Sequence, residues 1–308
     1  MSSQTIEDVD NGHSVETARW SDDGKVLYYA FHFVDGENKE LQWVAYDVAT
    51  QLTKTIQSPL NYDTRVWKRL AIPTPRLLNE SVELRGNISP SGKRVIYTMG
   101  YGGSGPYSTP EPGVQPRTEI WIADSSGKFK TKLKEFPDSG AGTIWHAAWF
   151  NSESEILFGL YYEYGVDLYI ANIENRSVVS LADISEFKGG TETYWSLSPD
   201  GTTLAIVDFG NMLWLVSLVD GRAIGVEKST RMPYWSKRGN LLYYWWGPEF
   251  FHDVALRVYD TESKTISDVV DVSSLTNQGV PVTQFAVSPQ GDKIALWGGS
   301  LWLVELSK

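Results

Sequence analysis

Short stretches rich in apolar, β-branched and aromatic residues recur along the chain, and each is bounded by Ser, Asp, Asn, Pro or Gly. Stretches of this length between turn-forming residues predict β-strands. The clearest series comprises Lys25–Ala30, Arg94–Met99, Ile156–Leu160, Thr203–Val207, Leu241–Trp245 and Lys293–Trp297. No long amphipathic segment with a period near 3.6 residues stands out in the sequence, which argues against alternating βαβ units.

A turn motif precedes each of these strands, in which a short polar residue is followed closely by Gly. The copies are Ser21–Gly24, Ser89–Gly92, Ser198–Gly201, Ser236–Gly239 and Ser288–Gly291, with a degenerate copy, Asn151–Ser154, that has Ser154 in the Gly position. Short polar residues or Pro before Gly are typical of tight turns. Measured between the Gly positions, the copies are 68, 62, 47, 38 and 52 residues apart.

A second strand-like stretch, usually with a central Trp or Tyr, follows each first one. These stretches are Leu41–Tyr46, Glu119–Ala123, Asp167–Ala171, Met212–Val216, Ala255–Tyr259 and Ser300–Val304. Each repeat thus predicts four antiparallel strands, A to D, with the Gly motif in the A–B turn. Four-stranded units of about 40–50 residues are typical of β-propeller blades.

We therefore predict an all-β protein, a six-bladed β-propeller that forms a single domain over residues 1–308. The predicted blades cover approximately residues 14–57, 82–136, 143–184, 192–227, 231–272 and 282–306. The last repeat lacks a fourth strand, and a spare strand lies at the N-terminus. We expect residues 4–10 to supply strand D of the last blade, so that the ring closes without a free edge.

The Ser-Pro-x-Gly turns at 89–92, 198–201 and 288–291 and the Leu-Trp-Leu-Val strands at 213–216 and 301–304 carry a family resemblance. They resemble the WD40-like repeats of TolB-type six-bladed propellers, over nearly the whole chain. They are also similar to the propeller domains of prolyl-oligopeptidase-like peptidases, without the hydrolase domain. The Gly-His and Trp-Asp dipeptides of true WD40 blades are missing from the expected places. The resemblance implies a propeller fold, and it implies export, because TolB-like proteins are exported.

Two intervals between repeats are longer than a blade requires. The extra segments are residues 58–80, between blades 1 and 2, and residues 100–117, between strands B and C of blade 2. Long loops in compact domains are usually either functional or disordered. D–A and B–C connections leave a propeller on the same face, so we expect both insertions to project from that face.

Charge and composition exclude several classes of function. With 27 Lys and Arg against 38 Asp and Glu, the net charge is −11, which argues against nucleic-acid binding and against docking on anionic lipid. The absence of Cys excludes disulfides and thiolate metal sites. No apolar run approaches the length of a membrane span, and the N-terminus has no features of a secretion signal. The resemblance to exported TolB-like proteins predicts an extracytoplasmic protein, with a cytosolic protein as the alternative. We also expect a monomeric ring.

Catalytic motifs are missing from the sequence. Neither Gly102–Pro106 nor Gly298–Ser300 forms the Gly-x-Ser-x-Gly elbow of serine hydrolases. The four His residues lie far apart in the sequence and match no zinc motif, so we predict no metal and no cofactor. Glycoside hydrolysis needs two carboxylates across a cleft, for which Glu16, Glu83 and Glu192 are the candidates.

Aromatic, Arg and His residues accumulate in the predicted B–C and D–A loops. Such residues are enriched in binding hot spots, and sugars also stack on aromatic rings. The candidate binding residues are Trp67, Tyr101, Tyr107, Trp145, His146, Tyr162, Tyr164, Glu192, Tyr194, Arg231, Trp246 and His252.

The preferred functional hypothesis is a non-catalytic module that binds a protein or peptide on this face. One alternative is a carbohydrate or small-ligand protein, with a saccharide at the mouth of the central channel. Another is an accessory propeller of a peptidase-like assembly, with the catalytic part on a separate chain.

Overall fold

The computed structural model describes residues 2–7, 15–35, 38–57, 88–89, 91–101, 117–124, 129–137, 144–162, 165–189, 191–247, 255–272, 282–298 and 300–306. Within them the chain is all-β, and its antiparallel strands form five hydrogen-bonded sheets, one of which has eight strands. That sheet consists of two four-stranded groups joined by one registered pair, so six groups of three or four strands are treated as sheets and numbered here in chain order. Strands that are neighbours in sequence are also neighbours in space. The A–B and C–D turns of a sheet therefore lie at one end, the turn end, and the B–C connections at the other, the loop end.

The strands have the following bounds. Sheet 1 contains β2 (Val15–Trp20), β3 (Val26–Asp35), β4 (Asn38–Asp47) and β5 (Leu52–Ile56). Sheet 2 contains β6 (Arg94–Tyr101), β7 (Arg117–Asp124) and β8 (Lys130–Pro137). Sheet 3 contains β9 (Ile144–Phe150), β10 (Glu155–Tyr162), β11 (Gly165–Asn172) and β12 (Ser177–Ser180), and helix α1 (Leu181–Ile184) follows it.

The remaining strands continue the same order. Sheet 4 contains β13 (Thr191–Leu197), β14 (Thr203–Asp208), β15 (Leu213–Ser217) and β16 (Ala223–Glu227). Sheet 5 contains β17 (Thr230–Trp235), β18 (Leu241–Trp246), β19 (Ala255–Asp260) and β20 (Thr265–Asp271). Sheet 6 contains β21 (Val282–Val287), β22 (Lys293–Gly298), β23 (Leu301–Glu305) and β1 (Ser2–Glu7).

The Ser–Gly turns follow one hydrogen-bonding scheme, seen clearly in sheet 4. The Ser198 N–H donates to the Thr203 carbonyl at 2.8 Å, and the Thr203 N–H donates to Ser198 Oγ at 2.9 Å. Ser198 Oγ in turn donates to Asp200 at 2.6 Å. Gly201 closes the turn at φ 73°, in the left-handed region that Gly enters without strain. The same Ser-to-Gly closure recurs at Ser21, Ser89, Ser236 and Ser288.

The degenerate turn of sheet 3 uses a different solution. Asn151, Ser152 and Glu153 adopt left-handed φ angles of 47°, 54° and 65°. The expectation that Ser154 replaces the glycine is therefore wrong, because the left-handed conformation is spread over the three preceding residues. Ser154 stabilises the turn by donating from its hydroxyl to the Asn151 carbonyl at 2.6 Å.

The described chain divides into two compact units. Unit 1, Met1–Asn61 with Ser229–Lys308, contains sheets 1, 5 and 6, and unit 2, Tyr62–Lys228, contains sheets 2, 3 and 4. In unit 1, apolar residues are buried between sheets 5 and 6 and between sheets 6 and 1. In unit 2 they are buried between sheets 2 and 3 and between sheets 3 and 4. Successive sheets therefore pack face to face. Apolar side chains on both faces of an inner sheet are removed from water, and this burial stabilises the fold.

The N-terminal strand pairs with the last sheet, as the sequence predicts. β1 lies antiparallel to β23, with Ser3 opposite Val304 and Thr5 opposite Trp302. The strand begins at Ser2 and ends at Glu7, slightly earlier than the predicted 4–10. The pairing covers an edge of β23, whose apolar residues are buried.

Some features of the fold differ from the sequence-based expectation. Sheet 2 has three strands among the described residues, with only a bridge between Ile88 and Val95 where strand A was expected. Sheets 3 and 4 are joined by one registered pair, Val166 and Thr191. The hairpin of β3 and β4 extends to the pair Asp35 and Asn38, well beyond the predicted strands.

The two predicted insertions lie almost entirely outside the described residues. No helix among the described residues is long and apolar enough to span a membrane.

Candidate functional site

A register slip recurs near the loop end of strand A, in every sheet whose strand A is described. In sheets 1, 3 and 6 one extra residue is inserted opposite the fifth and sixth positions of strand B. The extra residues are Glu16, Trp145 and Thr283. A β-bulge redirects side chains and is frequent next to active sites. Its repetition at one register marks the loop end as the candidate functional site.

In sheets 4 and 5 the slip lies slightly farther along strand A, towards the turn end. In sheet 4 the pairing jumps from Thr191 opposite Asp208 to Trp195 opposite Ile206. In sheet 5 it jumps from Arg231 opposite Trp245 to Tyr234 opposite Tyr243. Met232, inside the second slip, has a φ of 51°. A non-glycine residue in this region stores strain, which the surrounding pairing must hold in place.

Most of the predicted binding residues that the structure describes lie at these slips or beside them. Trp145 is the extra residue of sheet 3 and His146 follows it. Glu192 and Tyr194 lie inside the slip of sheet 4, and Arg231 begins that of sheet 5. The sequence predicts such residues in the loops that precede strand A, whereas the structure has them within the strands, at the register slips.

The other predicted residues have more varied positions. Trp246 pairs with Thr230 beside the slip of sheet 5. Tyr101 and Tyr162 end strands β6 and β10, opposite Arg117 and Gly165. The remaining candidates, Trp67, Tyr107, Tyr164 and His252, lie outside the described residues.

An arginine that the sequence analysis did not single out contacts Trp246. The Arg257 guanidinium lies 3.7 Å from the centre of the Trp246 ring, within the range of a cation–π interaction. Arg257 also forms an ion pair of 2.6 Å with Asp268 on the neighbouring strand β20. The alternation of β19 places Arg257 and Ala255 on one face of the sheet. These contacts orient the indole of Trp246, which remains partly accessible.

The B–C turn of sheet 4 is held rigid by one carboxylate. Asp208 accepts hydrogen bonds from the N–H groups of Gly210 and Met212, at 2.8 and 2.9 Å. It also accepts one from the indole of Trp214 at 2.8 Å. Phe209, at the tip of this turn, is 51 % exposed. The turn therefore presents an apolar ring on a preorganised backbone.

Sheet 2 carries a buried charge network near its loop end. Glu119 is only 5 % exposed and accepts hydrogen bonds from Trp121 at 2.8 Å and Lys132 at 3.2 Å. Arg117 lies 3.5 Å away, and Lys132 also pairs with Glu135. Burial opposes ionisation of Glu119, but these hydrogen bonds and cations outweigh it and hold the pKa of Glu119 below its usual range. The carboxylate is therefore ionised and fully paired, which is typical of a structural group rather than a proton donor.

The described residues contain no recognisable metal site. No group of three or more His, Asp or Glu residues among them could hold a metal ion. Of the glycosidase candidates, Glu16 occupies the bulge of sheet 1, and the side chains of Glu83 and Glu192 lie outside the description. The carboxylate separation that glycoside hydrolysis requires therefore stays a prediction.

Comparison with known proteins identifies solved structures with a similar fold. No protein-family model matches the chain, and no curated protein sequence matches it. A structure of oligogalacturonate lyase in complex with manganese is 13 % identical, covers 97 % of this chain and 79 % of its own, and superposes with a TM-score of 0.54. Oligogalacturonate lyase from Vibrio parahaemolyticus is 11 % identical, covers 97 % and 80 %, and has a TM-score of 0.53.

A structure of the tricorn protease is also similar. It is 12 % identical, with a TM-score of 0.45, and the match covers 92 % of this chain and 28 % of the protease. The two oligogalacturonate lyases are β-propellers, so the propeller class predicted from the sequence is supported. At such identities the similarity concerns the fold alone.

The preferred functional hypothesis requires correction. The two structures that cover 97 % of the chain are enzymes, and a non-catalytic module for binding a protein or peptide finds no support among them. The hypothesis depended on missing catalytic motifs. Catalytic residues can come from positions far apart in the sequence, so a missing local motif does not exclude catalysis.

Proposed function

We propose that this chain is a carbohydrate-active enzyme whose substrate is an oligosaccharide that carries carboxylate groups. The observation that supports it is the similarity of 97 % of the chain to two oligogalacturonate lyases. The substrate class comes from those proteins' names and is carried to this chain only as a proposal. The reaction we favour is eliminative cleavage next to a uronate carboxylate.

We also propose how the six sheets are arranged. The six sheets are the six blades of one propeller, and the β1–β23 pair is the closure of the ring. From the Ser-Pro-x-Gly turns, we interpret the repeat as TolB-type. In this proposal the substrate binds at the loop end of sheet 5, beside its strand A slip.

Sheet 5 supplies the residues that suit such a substrate. Arg231 begins a bulge, and its guanidinium is the side chain best suited to grip a carboxylate with two parallel hydrogen bonds. Trp246, at the end of β18, lies opposite Thr230 and therefore on the other face of the sheet from Arg231, and its indole is a surface on which a sugar ring can stack. Because the protein carries a net charge of −11, an anionic substrate requires local cations of this kind.

The chemistry assigns Arg231 a binding role. In eliminative cleavage a base removes the proton next to the carboxylate, a carbon–carbon double bond forms, and the bond to the leaving oxygen breaks. The leaving oxygen keeps the electron pair and takes up a proton. Neutralising the carboxylate makes that adjacent proton more acidic, which is the contribution expected of Arg231.

The test uses the full chain with trigalacturonate as the probe. Ultraviolet absorbance of the unsaturated product reports elimination, and new reducing ends without that absorbance report hydrolysis. We expect elimination and no action on neutral galactotriose. Arg231→Ala should lower kcat/KM by at least about tenfold, whereas Arg222→Ala, an exposed arginine at the turn end, should leave it unchanged.

Two results contradict the proposal. Saturated products would overturn the eliminative reaction. Absence of both cleavage and binding of trigalacturonate would overturn the acidic-oligosaccharide assignment.

A further inference from the structure

A groove of about 340 Å³ opens between sheets 3 and 4 at their turn end, away from the loop end. This volume lies in the range of small-molecule pockets, roughly 300–1,000 Å³. One wall comes from sheet 3, and the other from α1 and the turns of sheet 4. All of its residues belong to unit 2.

A row of four side chains across sheet 3 lines the groove. Glu155 on β10 lies opposite Phe150 on β9 and opposite Asn172 on β11, and Asn172 lies opposite Ser177 on β12. Residues directly opposite in antiparallel strands share a face, with Cβ atoms about 5 Å apart. Phe150, Glu155 and Asn172 are therefore adjacent on the wall of the groove.

The Glu155 carboxylate is held in place by amides. Asn172 donates from its side-chain amide to Glu155 Oε1 at 3.3 Å, and the Asn151 amide donates to Oε2. The Asn172 carbonyl oxygen accepts the N–H groups of Glu174 and Asn175, at 3.0 and 3.1 Å. The Asn172 side chain therefore has two roles. Its carbonyl oxygen caps the C–D turn, and its amide nitrogen orients the Glu155 carboxylate.

Two of the other sheets have a cation at the position of this carboxylate. At the same position strand B of sheet 2 has Arg94 opposite Asp124, and that of sheet 6 has Lys293 opposite Glu305. Both pairs place a cation beside an anion. In sheet 3 an anion takes the place of the cation, and no Lys or Arg among the described residues pairs with Glu155.

The rest of the groove is apolar or uncharged. Glu155 is its one ionisable lining residue within the described chain. The wall next to the polar row contains Ile170 and Val179, which lie opposite each other in β11 and β12. Across the groove lie Ile184, 44 % exposed, and Val219, 80 % exposed.

We infer that this groove binds a small organic cation, an ammonium or guanidinium group carried on an apolar body. The charged head pairs with the Glu155 carboxylate and lies beside the Phe150 ring, which attracts cations through its π-face. The apolar body contacts the aliphatic residues of the walls. Burial of a head group next to an uncompensated carboxylate strengthens their attraction. This inference does not depend on the proposed function at the loop end.

The probe for the test is 2-phenylethylammonium, and 2-phenylethanol is its neutral analogue. Isothermal titration of the full chain gives the dissociation constant, and amide NMR shifts of Gly201 and Thr202 report binding in the groove. We expect the ammonium to bind at least about tenfold more tightly than the alcohol, because a hydrogen bond to a charged group is among the stronger ones.

Three variants separate charge recognition from folding. Glu155→Gln removes the charge and keeps the size and shape of the side chain, and it should weaken binding by at least about tenfold. Val219→Lys, at an exposed position, should have a similar effect by placing a tethered ammonium in the groove. Glu174→Gln, which removes an exposed carboxylate from the adjacent turn, should leave affinity unchanged. Thermal melts of each variant confirm that it is folded.

The inference is overturned by any of three results. The first is equal binding of the alcohol and the ammonium, and the second is unchanged affinity in Glu155→Gln. The third is no binding of the ammonium up to millimolar concentration, with no shift at Gly201 or Thr202.

Discussion

The carboxylate of Glu153 accepts a hydrogen bond of 2.8 Å from the hydroxyl of Ser91, and this contact joins the A–B turns of sheets 2 and 3. The Ser91 N–H donates to the same carboxylate, and Arg94 donates to the Glu153 carbonyl at 3.1 Å. The left-handed backbone of Glu153 thus directs its side chain to the preceding sheet.

A comparable link exists in unit 1. The Gln290 amide of sheet 6 donates to the Asp23 carbonyl of sheet 1 at 2.8 Å. Turn-end hydrogen bonds therefore supplement the apolar packing between successive sheets.

Glu153→Gln is expected to lower the free energy of unfolding by about 1 kcal/mol, because hydrogen bonds to a charged acceptor become neutral ones. Urea unfolding followed by tryptophan fluorescence measures the change. Glu174→Gln changes an exposed residue of the C–D turn of sheet 3, whose backbone N–H bonds to Asn172 of the same sheet, and serves as the control. An equal loss in both variants would mean that the link to Ser91 contributes nothing specific.

Glu119 is expected to make the stability of the fold sensitive to acid. Its pKa is lowered in the folded state, so the stabilisation is fully present above the ordinary pKa of Glu, about 4.3, and is lost as the pH falls through the folded pKa. Glu119→Gln should destabilise by about 1–3 kcal/mol at pH 7.

The stability difference between the parent and Glu119→Gln should shrink below about pH 4. Urea unfolding of both proteins at pH 7 and pH 3.5 measures it. A difference that stays constant with pH would show that the charge of Glu119 is not what stabilises the network with Lys132 and Trp121.

Deletion of residues 1–10 is expected to lower the melting temperature by at least about 5 °C, since it removes a paired strand and uncovers β23. Differential scanning calorimetry measures the shift. Gln4→Thr, which keeps a strand-forming residue in β1, should melt like the parent. An unchanged melting temperature after the deletion would contradict a stabilising role of the β1–β23 pair.

Two glycines with left-handed φ angles are expected to respond differently to alanine. A Cβ at Gly92 meets no atom within 4 Å, so Gly92→Ala should cost only the backbone strain, about 1–2 kcal/mol. A Cβ at Gly221 would lie 2.5 Å from the Ile184 carbonyl oxygen, which is backbone and cannot rotate away. Gly221→Ala should therefore lower the free energy of unfolding by clearly more than Gly92→Ala does. Urea unfolding ranks the two, and equal costs would show that the turn of Gly221 shifts without penalty.

Much of the fold was predictable because it depends on local chemistry. The Ser–Gly turn is complete within six residues, as the bonds from Ser198 to Thr203 show, so its sequence can be recognised wherever it occurs. The strands that flank it follow from their β-branched and aromatic composition. Even the pairing of β1 with β23 followed from counting strands, because a last repeat with three strands leaves an edge to be covered.

The sequence by itself determined the strand content and the repeat, and it singled out Trp145, Tyr194 and Arg231 as candidates. Only the tertiary structure decided the bulges beside them, because a register slip is a property of two strands and not of either one. It likewise decided the burial of Glu119 and the isolation of Glu155 from any described cation. Both depend on which side chains the neighbouring strands bring alongside, and that juxtaposition arises only when distant segments pack together.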